Sequence, residues 1–338
     1  MNGQIKSIFR FSIFIALGGL MLYFAFKGQD IHQLTTELKQ ANYFWVSLAA
    51  AVTLLAHLVR AARWNMLIKP LGHSPKLLHT FNAVIIGYMA NLAFPRLGEV
   101  SRCGTLTKTD DIAIDKLIGT VIVERVIDLL SLIVILLLTV LLQFRLISSF
   151  IYDNLLKGIV EKLESNQLLL LGIGILGLIS IIALIFIYRR YKLQLMSSVL
   201  GQKIILLFSG ISKGLTSIAM VESKVLFIAY TVLLWFLYLL STYIMFFAIP
   251  ATSSLTFLTG LFVLTVGSLG MAAPVQGGIG AFHWIVSKGL VLYKISEAEG
   301  LVYATISHGT QTLMVILVGA LGLAYILVSS NHKVKADV

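Results

Sequence analysis

The feature that most constrains this chain is a recurring apolar run of about 20 residues, long enough as a helix to cross roughly 30 Å of hydrocarbon. Six such runs lie at about 8–26, 43–60, 115–142, 167–188, 225–248 and 300–328. Inside lipid every backbone N–H and C=O has to be satisfied within the chain, so runs of this length are helices. With 58% apolar and 12% charged residues, the sequence carries more hydrocarbon than a soluble core needs. The expected fold class is all-α: a polytopic integral membrane protein, one membrane domain over 1–338, with six full transmembrane helices. An even number of spans puts both termini on one side. Lys6 and Arg10 precede the first run, FSIFIALGGLMLYFAF, and no small-x-small cleavage site closes it, so it reads as a retained helix.

A net charge of +11 suits nucleic acid in a soluble protein. Here the basic residues fall mainly between apolar runs, where they meet lipid phosphates, so no nucleic-acid partner is expected. The expected location is the cell inner membrane, with both termini cytoplasmic. Cys103 is the single cysteine, which excludes an intrachain disulfide, and nothing beside it suggests a nucleophile.

Two further apolar stretches decide the topology. If 77–94 simply crossed the bilayer, the basic groups before it (Arg60, Arg63, Lys69, Lys76) and after it (Arg96, Arg102, Lys108, Lys116) would lie on opposite faces. A re-entrant hairpin over about 77–108, broken near Pro95 and Gly98, removes the conflict. The same treatment of 255–293 gives a second hairpin from the other face, broken at MAAPVQGGIGAF. Both breaks read Ala-apolar-Pro-x-x-Gly, at Ala93–Gly98 and Ala272–Gly277. The order of elements also repeats between 8–142 and 167–328, in opposite orientation, as in inverted-repeat transporters with a midplane site. Residues 30–42, 146–163 and 193–220 mix polar and apolar positions at helical spacing and read as interfacial helices.

Three clusters carry candidate chemistry. In NLAFPRLGEVSR, Arg96, Glu99 and Arg102 share a helix face and display plus, minus, plus. The plainer alternative is a snorkelling headgroup anchor. The sharper one is an arginine gripping a lipid phosphate, with Glu99 fixing the guanidinium or receiving a cationic headgroup. In IVERVIDLL, Glu124, Arg125 and Asp128 lie inside an apolar span, where each charge costs at least ~2.5 kcal/mol unless paired. Arg125 is expected to reach Asp128, leaving one net negative charge for a cation. A structural pair that locks helices is the alternative. In PVQGGIGAFHW, Gln276, Gly277, Gly278 and Gly280 are expected to leave N–H groups open to an anion at the start of a helix over 281–293, with His283 as packing residue or proton carrier. Arg60, Arg63 and Trp64 end the second span as an interface anchor or a phosphate-attracting entrance. Asn82, Asn91, His308 and Gln311 line the interior or pack there. No HExxH, Walker loop, Cys/His cluster or serine triad occurs, so catalysis, metal and cofactors are not expected.

Taken together, Arg63-Trp64, Arg96-x-Gly98-Glu99-x-x-Arg102, Glu124-Arg125-x-x-Asp128 and Pro274-x-x-Gly277-Gly278-x-Gly280 resemble the flippase-like membrane family. That family comprises the transmembrane region of lysylphosphatidylglycerol synthases and its stand-alone relatives. The resemblance implies movement of a polar-headed lipid between leaflets, with an anionic or zwitterionic phospholipid or a polyprenyl-phosphate lipid as partner. It does not imply synthesis, because aminoacyl-transferring members carry a large soluble domain and this chain ends soon after its last span. Relatives often place an acidic residue just after the glycine run, where this chain has Ala281-Phe282-His283-Trp284. Two other functions stay open: a membrane enzyme using Glu124 or Asp128 as base, and a scaffold for envelope assembly. A second copy of the chain or envelope-biosynthesis enzymes are further candidate partners.

Overall fold

A computed structural model describes residues 16–29, 31–94, 97–152, 186 and 221–336. The expected span 167–188, the surface helix 193–220, most of 146–163, the start of the first span, and Pro95 and Arg96 lie outside the described residues. The elements are α1 (Ala16–Phe26), α2 (Ile31–Gln40), α3 (Tyr43–Ile68), α4 (Leu77–Ala93), α5 (Leu97–Asp110), α6 (Ile114–Leu142), α7 (Phe144–Ile151), α8 (Lys224–Phe246), α9 (Phe257–Met271), α10 (Ala281–Leu290) and α11 (Glu297–Ala336). No strand occurs among the described residues.

Helix starts are set by local polar caps, which satisfy N–H groups that have no intrahelical partner. Asn42 Oδ1 accepts from Phe44 N–H at 3.1 Å, Ser223 Oγ from Leu226 N–H at 3.4 Å, and Thr256 Oγ1 from Thr259 N–H at 3.3 Å. At α11, Ser296 and Glu299 form a reciprocal box: Ser296 N–H donates to Glu299 Oε2 at 3.0 Å and Glu299 N–H to Ser296 Oγ at 3.3 Å.

Among the described residues, four helical segments, Tyr43–Leu71, Ile114–Leu142, Lys224–Phe246 and Glu297–Val328, are long and apolar enough to cross a membrane. Only 11% of the most apolar window of α6 is buried inside the protein, and Ile122, Val134, Leu137 and Leu141 on it are exposed. Such a surface is stable against lipid and not against water.

The span expected at 43–60 runs unbroken to Ile68. Its arginines do not end the helix because they find carboxylates in α6, as described below. α3 packs most closely on α8. Small residues permit this: Ala49 and Ala56 are buried at the contact, and Ser241 Oγ donates to Ala49 O at 3.0 Å.

The two stretches read as hairpins do fold back on themselves. His79, near the start of α4, meets Asp110 at the end of α5 at 3.0 Å. The helices touch through glycine: a Cβ on Gly98 would collide with Gly87 O and lie 2.6 Å from Asn91 Nδ2, while Gly98 N–H donates to Asn91 Oδ1 at 2.7 Å. In the second hairpin, α9 and α10 close in the same way, Gly267 and Gly270 receiving Phe282 and Gly289 receiving Phe262. The helix expected over 281–293 ends at Leu290, and Val291–Tyr293 tighten into a 3-10 turn. The second break packs against the end of α4, where a Cβ on Gly277 would lie 2.6 Å from Leu92 Cδ2.

Gly98→Ala is expected to lower stability in detergent by about 1–3 kcal/mol, because the obstacle is backbone and cannot yield. Gly104, on the same helix with nothing within 4 Å of its missing Cβ, is the control. Its replacement by alanine should stabilise by roughly 0.5–1 kcal/mol. Thermal unfolding of the two variants checks this; equal melting temperatures would refute the close-contact account.

Candidate functional site

The site begins with helical spacing. On α3, His57, Arg60, Arg63 and Trp64 recur every three to four residues and form one polar stripe on an otherwise apolar helix. On α6, Glu124 and Asp128 are one turn apart and face that stripe. Asp128 Oδ2 takes Arg60 Nη2 at 2.6 Å and its Oδ1 takes Arg63 Nη2 at 2.6 Å. Glu124 Oε1 lies 2.6 Å from Arg60 Nη2 and 3.5 Å from Arg63 Nη2, and its Oε2 is 2.9 Å from Arg102 Nη1. Arg102 reaches in from α5 and lies over the Trp64 ring, 4.5 Å from its centroid. Trp64 Nε1 in turn donates to Thr120 Oγ1 at 2.8 Å.

These contacts correct the expected pairing. Arg125 does not serve Asp128; it projects to a different face of α6 and meets Glu99 Oε1 of α5 at 3.0 Å. The sign of the cluster reverses as a result. Four guanidiniums (Arg60, Arg63, Arg102, Arg125) meet three carboxylates (Glu99, Glu124, Asp128), leaving one positive charge where the sequence suggested one negative. Arg60, Arg63 and Trp64 do not project outward to lipid either: Arg63 and Trp64 have 0% exposure. Burial of an arginine demands a partner, and Arg60 and Arg63 both find carboxylates.

A cavity of about 530 Å³ opens beside the cluster, between the two hairpins and α3, α6, α8 and α11. Its charged end is Arg60, Asp128, Glu99 and Arg125, joined by Tyr88, Asn91 and His57. The walls are largely apolar, with Leu129, Leu132, Val263, Met271 and Phe282, and the second break contributes Gly277 and Gly278. His308 and Gln311 of α11 also line it, whereas Asn82 packs against α11 at Gly322.

Two of the N–H groups expected to stay open at the glycine break are taken. Gly278 N–H donates to Val275 O at 3.4 Å, and Gly280 N–H to His283 Nδ1 at 3.4 Å. Its glycines serve backbone shape: Gly277, Gly278 and Gly280 have φ of 54°, 77° and 81°, a region that disfavours any side chain. Gln276 and His283 are buried behind the turn. Among the sequence candidates, the structure brings together Arg60, Arg63, Trp64, Glu99, Arg102, Glu124, Arg125 and Asp128, and separates Gln276, Gly280 and His283 from the charged end. Arg96 lies outside the described residues. His57, Tyr88 and Tyr238 were missed; the three-to-four spacing of His57 with Arg60 and Arg63 was the available signal.

The pairing generates a double-mutant test. Asp128→Asn leaves two arginines short of a partner and should cost about 3–5 kcal/mol. Arg63→Gln and Asp128→Asn should couple by roughly 0.5–3 kcal/mol, whereas Arg125→Gln and Asp128→Asn, which share no ion pair, should couple less. Strong coupling in the second cycle would contradict the observed partners.

With this geometry in place, comparison with known proteins is informative. A UPF0104 membrane protein of Methanocaldococcus jannaschii is 31% identical over 112 residues, covering 32% of this chain and 33% of the relative. The match thus spans about a third of that protein's length. No solved structure matches. The family described as the lysylphosphatidylglycerol synthase TM region matches residues 11–319. The chain is a helical membrane protein that belongs to this family.

Proposed function

We propose that the protein moves a polar-headed phospholipid or polyprenyl-linked lipid between the leaflets of the inner membrane, as a transporter and not as an enzyme. One observation carries the reading: a cavity of about 530 Å³ with apolar walls ends in a buried cluster holding one excess positive charge. A phosphate in that end answers the excess, while acyl or polyprenyl tails remain in hydrocarbon. Glu124 and Asp128 are each committed to two or more arginines, which leaves them poor candidates for a catalytic base.

In this reading six helices span, the two hairpins are re-entrant, and 8–142 and 167–328 are inverted repeats with both termini cytoplasmic. Element lengths support it. The 14 residues of α5 and 10 of α10 extend about 21 and 15 Å as helices, too short to cross. Arg102 is a supporting residue, held by Trp64 and Glu124, and the headgroup contacts are Arg60, Arg125 and Glu99.

Topology is checked with single cysteines in a Cys103→Ala background. Positions 69 and 108 should be labelled from the cytoplasm and 296 from outside; opposite labelling of 69 and 108 rules out the first re-entrant hairpin.

For transport, Arg125→Lys keeps the charge but loses the planar fork. In reconstituted vesicles it and Glu99→Gln should slow movement of acyl-labelled phospholipid at least about tenfold, equivalent to ~1.4 kcal/mol. Lys288→Gln, altering a surface pair with Glu297, should move lipid at the wild-type rate. Wild-type rates in all three variants would remove the charged end from the mechanism.

A further inference from the structure

Two buried imidazoles stand behind the second break and take no part in the charged cluster. His308 lies on the cavity wall, and its Nε2 is 2.7 Å from Gly277 O. His283 stacks against it edge-on, with ring centroids 4.9 Å apart, and its Nδ1 accepts the Gly280 N–H at 3.4 Å. Phe282 packs on His308 and Phe26 on His283. Each imidazole therefore ties one end of the Gly277–Gly280 turn, where three left-handed glycines interrupt regular helix bonding.

The partners settle the tautomers. A carbonyl only accepts, so His308 Nε2 carries the hydrogen; a backbone N–H only donates, so His283 Nδ1 is bare. A proton arriving on His283 Nδ1 removes the acceptor of Gly280 N–H. It thereby unties the turn at Gly280, two residues from cavity-lining Gly278.

We propose that the His283–His308 pair is a proton-binding site coupling proton movement to headgroup movement. It takes up one proton as an anionic headgroup occupies the cavity, a role that rests on the lipid-moving reading above. One proton is taken and not two, because two imidazoliums at this separation repel each other.

Its surroundings leave the countercharge to the headgroup. α9 carries no titratable side chain, and α10 adds only Lys288, paired with Glu297 at 2.7 Å. The described part of α1 adds Tyr23, which is exposed, and α11 adds Tyr303 near the pair, whose hydroxyl donates to Thr242 O at 3.0 Å. α2, packed on α11, carries His32, Glu37 and Lys39. Across the cavity stand Arg60, Glu99, Arg125 and Asp128, engaged with one another or with the cluster, with Tyr88 and Tyr238 beside them. Among the described residues no hydrogen bond or ion pair joins either imidazole to a carboxylate.

The test uses the full chain in vesicles containing an acyl-labelled anionic phospholipid, with an imposed gradient of one pH unit and a lumenal pH dye. One proton per lipid drives a steady-state leaflet asymmetry of about tenfold, with acid moving alongside lipid. His283→Asn, which keeps an acceptor near the Nδ1 position, and His308→Gln, which keeps a donor near Nε2, should settle to an even distribution whatever their rates. An even distribution in the wild type, with lipid moving, overturns the proton site and leaves the transport reading intact. If no lipid moves, the transport reading fails, and fluorescence of the adjacent Trp284 decides the site. A pH-dependent step in the wild type that both substitutions abolish supports it, and no such step overturns it.

Discussion

The structure depends on where four arginines go among apolar helices. An unpaired guanidinium in a span is costly, so α3 is bound to whichever helix carries carboxylates at matching height. α6 supplies them one turn apart, Glu124 and Asp128, and Arg60 and Arg63 engage both. α5 joins through Arg102 to Glu124 and through Glu99 to Arg125. Three helices are thereby fixed in register by charge, in a medium where apolar contact alone gives little preference between helix faces.

Glycine then sets how close the remaining helices come. Gly87 and Gly98 let α4 and α5 touch backbone to backbone, and Gly267 and Gly270 let Phe282 of α10 settle into α9. The second break packs against the end of α4, with Gly277 against Leu92. The cavity is the space left between the two hairpins and the ion cluster. Its position follows from those contacts: charged at the cluster, apolar along α9, and edged by the turn that His308 and His283 tie down.

The polarity of the cluster bears directly on function. A group of carboxylates with one arginine invites a cation, but the observed cluster carries one positive charge in excess. Two of its arginines, Arg60 and Arg125, border the cavity, while Arg63 and Arg102 stand behind them with Trp64 as a rigid backing. In the function proposed above, a phosphate-bearing headgroup answers that charge. Replacing the rear arginines should act on folding more than on headgroup contact.

Much of the architecture was legible in the residues. Run length and apolarity sufficed for the long helices, since lipid leaves the backbone no alternative, and Pro and Gly at the two breaks marked the hairpins. The chain also announced that Glu124, Arg125 and Asp128 matter, because charges are costly in a span. Local spacing could not say with whom they pair: i, i+3 reach made Asp128 the nearest partner for Arg125, yet Glu99 holds it. Arg60, Arg63 and Trp64 resembled an interface anchor because their carboxylates lie some 60 residues away in sequence. The glycine run likewise resembled an anion cradle, and only its φ angles and the Gly280–His283 bond revealed a tied turn. Sequence alone thus determined the solvent, the helices and the residues under electrostatic strain. Tertiary structure decided the pairing, hence the sign of the buried charge, because in a low-dielectric interior that sign depends on which distant charges are brought within a few ångströms.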